Sequence, residues 1–90
     1  MNNHALLNFT PRSGYLAIIS KMLMGNDYSG LECIGEKNYK ASSSDKKEVY
    51  VDLESGKLIF KYPSSEVKEK NKNFLKELEQ SLLENSKKIY

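Results

Sequence analysis

Cys33 and His4 are the only thiol and the only imidazole of the chain. These are the side chains best suited to nucleophilic or base chemistry near neutral pH. A nucleophile needs a base within hydrogen-bond reach. His4 falls in a stretch read as a flexible, solvated N-terminus, and Cys33 alternates with Leu31 in a predicted strand. A small apolar cysteine in such a pattern is expected to be buried and structural. One Cys and one His also fall short of a zinc ligand set, so no metal is expected. Gly25-Asn-Asp-Tyr-Ser-Gly30 has the glycine spacing of a phosphate-binding loop, but Leu31-Glu32 stands where Lys and Ser or Thr are required. A predicted helix precedes it, where that motif needs a strand. The carboxylates Asp27, Glu32, Glu36, Asp45, Asp52 and Glu54 are scattered. Catalytic carboxylates converge in a cleft. The expectation is a protein that is not an enzyme and takes no cofactor.

Two other groups are suited to binding. Lys68, Lys72 and Lys76 recur every four residues, so they share one helical face, with Lys70 beside them. Such a stripe can contact phosphates, but Glu66, Glu69 and Glu77 dilute its potential, and a charge run commonly serves only as a solvated face. Glu66 with Lys70, and Glu84 with Lys88, are ordinary i,i+4 helix pairs. The second group is Tyr50, Ile59 and Lys61, which alternation places on the polar side of a predicted hairpin. An exposed Tyr beside an aliphatic side chain can anchor a partner, because interface energy concentrates in such residues. A covering helix or N-terminal segment would remove that role.

The elements that position these residues start with the hairpin. Val49, Val51 and Leu53 alternate with Tyr50 and Asp52; Leu58, Phe60 and Tyr62 alternate with Ile59 and Lys61. Each set of three lines one face. Gly56 supplies the positive φ of the turn. A two-residue Ser55-Gly56 turn pairs Leu53 with Leu58. A longer Leu53-to-Gly56 loop pairs Val51 with Leu58 and Asp52 with Lys57. Both registers keep the apolar faces together, and a slip by one would not. Thr10-Pro11 looks like a helix start, with Thr as cap and Pro at the first helical position. The apolar spacing from Tyr15 to Leu23 predicts a helix over 11–24, stopped at Gly25-Asn26. A turn at 26–30 leads to a strand at 31–34, and 38–41 either continues it or forms a separate one. Ser42 to Lys47 reads as an exposed loop. Ser64 or Ser65 caps a last helix over 65–86, with Val67, Phe74, Leu75, Leu78 and Leu82 as its apolar stripe, interrupted by Asn71.

Ninety residues make one domain, residues 1–90, with 1–9 expected to be flexible. The fold class is α+β: a two-layer α-β-β-β-α domain whose antiparallel sheet has three strands, or four if 38–41 separates, packed on two helices. No apolar run approaches a membrane span, and no basic residue precedes the apolar start. With a single cysteine, the expected compartment is the cytoplasm. Net charge is only +2, and thirteen of the fourteen basic residues are Lys rather than the Arg that grips phosphate and guanine. The element order over 11–86 resembles that of double-stranded-RNA-binding domains. That resemblance implies a nucleic-acid binder in which Lys68, Lys70 and Lys72 meet phosphates; the family's Gly-Pro-x-His turn and Lys-Lys pair have no counterpart here. The residues themselves favour a protein partner. Small size and a Lys-, Asn- and Tyr-rich composition suggest an A/T-rich genome, and with it an inhibitor or immunity-type protein of a phage or mobile element.

Overall fold

A computed structural model describes residues 3–86. The elements run β1 (His4–Asn8), α1 (Tyr15–Met24), β2 (Glu32–Gly35), β3 (Asn38–Ser42), β4 (Glu48–Asp52), β5 (Lys57–Lys61), α2 (Ser65–Lys70) and α3 (Lys72–Ser86). The strands form one antiparallel sheet in the order β1-β5-β4-β3-β2. The α+β class and the two layers are as read from the sequence, but the sheet has five strands rather than three or four. Four strands, not three, separate α1 from α2, and another precedes α1. The order therefore departs from that of double-stranded-RNA-binding domains.

The hairpin adopts the longer loop. Val51 pairs with Leu58, Tyr50 with Ile59 and Asp52 with Lys57. Asp52 sets this turn: its carboxylate accepts from the backbone N–H of Glu54 (2.9 Å) and Ser55 (3.2 Å) and from the Ser55 hydroxyl (2.7 Å). Those bonds, the Ser55 hydroxyl first, hold the Asp52 carboxyl below its usual range. Gly56 sits at φ 76°, and its carbonyl accepts from Phe9 N–H at 2.9 Å. A Cβ here would lie 1.8 Å from the Phe9 carbonyl oxygen, so the position excludes a side chain on space as well as on backbone angle.

The segment expected to be flexible is a strand as far as it is described. His4–Asn8 pairs with the whole of β5, and the ladder is extended by Phe9 N–H to Gly56 at one end and Tyr62 N–H to Asn3 at the other. Ala5 and Leu7 turn inward, half-buried, while Leu6 is exposed. The first helix is shorter than predicted. Gly14, at φ 88°, stands at its N-cap without a side-chain cap, and Thr10 and Pro11 lie in the irregular segment before it. A left-handed Gly14 cannot continue a helix begun at Pro11. The last helix starts as read, with the Ser64 hydroxyl accepting from Val67 N–H at 3.3 Å. It is broken at Asn71 into α2 and α3. The proposed Glu84–Lys88 pair lies partly outside the described residues.

The core is one cluster between the helices and the inner face of the sheet. Ile19 and Leu23 of α1 and Leu78 and Leu82 of α3 cover Ala41, Val49, Val51, Leu58 and Phe60. Phe60 is fully buried, with ring centroids 6.3–6.5 Å from Tyr28, Tyr62 and Phe74. The Tyr15 hydroxyl crosses to the Leu82 carbonyl at 2.9 Å, fastening α1 to α3.

Two local readings are corrected. Cys33 is exposed, not buried: no residue of β2 is buried, so the helix layer does not extend over this edge of the sheet. Lys47, expected in a fully exposed loop, is buried. Its amine donates to the Asn26 carbonyl (3.3 Å), lies 4.8 Å from the Tyr28 ring centre and stands 3.8 Å from Asp45 Oδ1. A lysine can be enclosed this way because its charge keeps a hydrogen bond, a carboxylate and an aromatic face.

Candidate functional site

Among the described residues, one face of the sheet carries the helices and the other carries none. On the uncovered face, alternation and register set side chains in rows that cross the strands. The middle row runs Leu6, Ile59, Tyr50, Lys40, Glu32, each directly opposite the next. Tyr50, Ile59 and Lys61, the sequence-predicted partner-binding set, meet here. Tyr50 and Ile59 are a direct cross-strand pair, and the Lys61 amine stands 4.9 Å from the Tyr50 ring centre. Among the described residues, no helix and no N-terminal segment covers them. Leu6 is 55% exposed and Ile59 36%, with Tyr50 half-buried between its neighbours.

Lys40 joins the site without having been singled out in the sequence, and Leu6, which the sequence offered with Leu7 and Phe9 as able to dock on the core, is instead exposed on this face. The Lys40 amine lies 5.5 Å from the Tyr50 ring centre and 3.3 Å from Glu48 Oε2. Its hydrogen bond with Glu48 comes first among the causes that raise its pKa. A signal for Leu6 was present in the adjacent Leu6-Leu7, which suits a strand facing two environments, but its pairing partner lies over fifty residues away. Lys40 could be placed only once 38–42 was known to be a separate strand.

The flanking rows complete the charge pattern. Lys61 faces Glu48 on one side of the middle row, and Lys57 faces Asp52 on the other. Strand β5 thus presents Lys-Ile-Lys and β4 presents Glu-Tyr-Asp. With Lys40 and Glu32, three lysines meet three acids. The face is an apolar strip with balanced charge, not a field of one sign.

The lysine set of the alternative reading is divided between two helices. Lys68 and Lys70 belong to α2, and Lys72 and Lys76 to α3. Lys68 is half-buried, and Lys72 pairs with Glu69 at 3.2 Å. His4 and Cys33 lie on opposite edge strands of the five-stranded sheet, so they are not brought together. Among the described residues there is no group of three or more His, Cys, Asp or Glu placed to hold a metal, and no helix is long and apolar enough to cross a membrane. In comparisons with family models, curated proteins and solved structures, none matches this chain.

Proposed function

We propose that the protein is a non-enzymatic protein-binding module that engages its partner through the uncovered face of the sheet. The observation that carries this reading is the contiguous row Leu6, Ile59, Tyr50 on a face that no helix covers among the described residues. Apolar and aromatic anchors that a partner can desolvate, rimmed by polar groups, are what concentrates interface energy. Small size and compositional bias support placing the protein among inhibitor or immunity-type proteins of a phage or mobile element acting in the cytoplasm.

The balanced charge of the face argues against nucleic acid, because phosphate binding needs an excess of cations that release counterions. The test opposes two variants. Tyr50→Ala with Ile59→Ala should abolish capture of the partner protein from the native host, while Lys68, Lys72 and Lys76 changed to Gln should leave it intact. Duplex RNA or DNA binding that survives the first change, is lost with the second and falls steeply with salt would replace this reading with nucleic-acid binding.

A further inference from the structure

Resting on the reading of the uncovered face as a binding surface, we propose that the partner it fits is a second copy of this chain, stacked face to face. The pattern is self-complementary about one axis. Consider a two-fold axis lying in the interface, parallel to the strands and midway between β4 and β5. It sets β5 of one copy over β4 of the other while keeping each residue in its own row. Since Lys61 shares a row with Glu48, Ile59 with Tyr50 and Lys57 with Asp52, the stacking brings Lys61 over the partner's Glu48, Ile59 over the partner's Tyr50, and Lys57 over the partner's Asp52. By symmetry every one of these contacts occurs twice. Strand β1 then lies over the partner's β3, with Leu6 against the aliphatic stem of the partner's Lys40.

The crosswise axis fails. It would set β5 on β5, lysine on lysine, and β4 on β4, acid on acid. Sheets that stack in aligned fashion keep their strands within about 30° of one another, which the first axis satisfies. The charge pattern therefore selects one arrangement out of two. It is also the pattern that leaves a free copy soluble, because the Lys40 and Lys61 amines lie over the Tyr50 ring.

Size sets the strength. The axis opposes four strands of each copy, β1, β5, β4 and β3, and leaves β2 outside; at about 4.8 Å apart and about 16 Å long these four give a contact of about 300 Å². That is below the ~800 Å² per partner of a standard stable interface, so the dimer is expected to form at micromolar or higher concentration.

Sedimentation equilibrium at low salt, up to about 1 mM protein, tests this on the full chain. The wild type should pass from monomer to dimer. Glu48→Lys puts two lysines over each other, and Lys61→Glu puts two glutamates over each other; each variant alone should need at least about tenfold more protein to associate, the effect of about 1.4 kcal/mol. Mixing the two restores an opposite charge at every contact, so a 1:1 mixture should dimerise like the wild type. Circular dichroism of each variant establishes that it is folded. A wild type that stays monomeric to the top of the range overturns the proposal, as does a mixture of folded variants that fails to associate. If the wild type is monomeric but Tyr50→Ala with Ile59→Ala still abolishes binding of a different protein, the face remains a binding surface and self-pairing alone is lost. If that double change affects no binding at all, the reading on which the proposal rests falls with it.

Discussion

The two faces of the sheet are built from the same strands and do opposite things. Along β5 the residues alternate Lys57, Leu58, Ile59, Phe60, Lys61. Leu58 and Phe60 are fully buried beneath the helices, while Ile59, between them in sequence, is 36% exposed. In β4, Val49 and Val51 are buried and Tyr50 is not. Hydrophobic character alone therefore does not decide burial here. The decision is made by which face the helices choose, and that face has three inward positions per hairpin strand when Leu53 and Tyr62 are counted. The closed face holds the fold together. The open face sets charges around a short apolar strip.

The sharpest way to test the difference is to truncate its most buried member. Phe60→Ala should destabilise the protein by about 3 to 5 kcal/mol, the range for a buried phenylalanine. Against a total of roughly 5 to 15 kcal/mol this is enough to threaten folding. Reversible urea denaturation measures it. A loss below about 1 kcal/mol, the scale of surface positions, would mean that the closed face does not depend on its aromatic cluster.

Which parts were readable in the sequence follows from the range of the interactions. The hairpin was legible because both strands, the turn glycine and the alternation lie within fifteen residues. Its register was not, since Ser55-Gly56 and Leu53-to-Gly56 loops keep the same faces together; the Asp52 bonds to Glu54, Ser55 and the Ser55 hydroxyl decide between them. β1 was missed because its alternation is weak and its partner β5 is far away in the chain. The start of α1 was misread because Thr10-Pro11 satisfies local rules, while left-handed Gly14 sets the boundary. Of the candidate site, Tyr50, Ile59 and Lys61 were legible as neighbours because one hairpin supplies all three. Leu6 and Lys40 required the neighbouring strands. Cys33 and Lys47 were misassigned for the same reason: each one's burial depends on what another segment covers.

Gly56 links the two faces, because it joins the hairpin turn to the chain leaving β1. Gly56→Ala should cost about 1 to 3 kcal/mol for the left-handed backbone alone. The 1.8 Å approach to the Phe9 carbonyl adds a forced displacement. Gly56→Asn separates the two causes. Asn tolerates a positive φ but carries the same Cβ. If Asn is as destabilising as Ala in urea melts, the close approach dominates; if it restores stability, the backbone angle does.

The tyrosines of the closed face give a gentler probe. Burial pushes the Tyr62 phenol up to about 12, and burial likewise raises Tyr28. An unfolded tyrosine ionises near 10. The folded state thus holds its protons longer than the unfolded state. The contribution of Tyr62 is fully present below pH ~10 and is lost as pH rises through about 12. Stability measured by urea melts should be flat approaching pH ~10 and fall above it. Ultraviolet titration of Tyr62→Phe should lose a late-ionising phenolate. A Tyr62→Phe variant with the same alkaline decline would assign that decline to other groups.

The smallest expected effect is the most telling. Ile59→Ala with Tyr50→Ala removes more apolar bulk than many core changes, yet it should cost only about 1 to 2 kcal/mol, less than Phe60→Ala, because both side chains lie on the uncovered face. What they do lose is contact with each other and, for Tyr50, with the Lys40 and Lys61 amines. Exposed cross-strand and cation–π contacts of this kind each contribute about 0.2 to 1 kcal/mol. Ile59 is adjacent to Phe60 in sequence and Tyr50 pairs with Ile59, so the two experiments compare side chains of one hairpin that differ chiefly in the face they occupy. Urea melts of the double variant settle the stability side, and binding assays on the same samples settle the other. A folded, stable variant that no longer associates would show that the open face is kept apolar for binding. A variant that loses stability on the scale of Phe60→Ala would show instead that both faces support the fold.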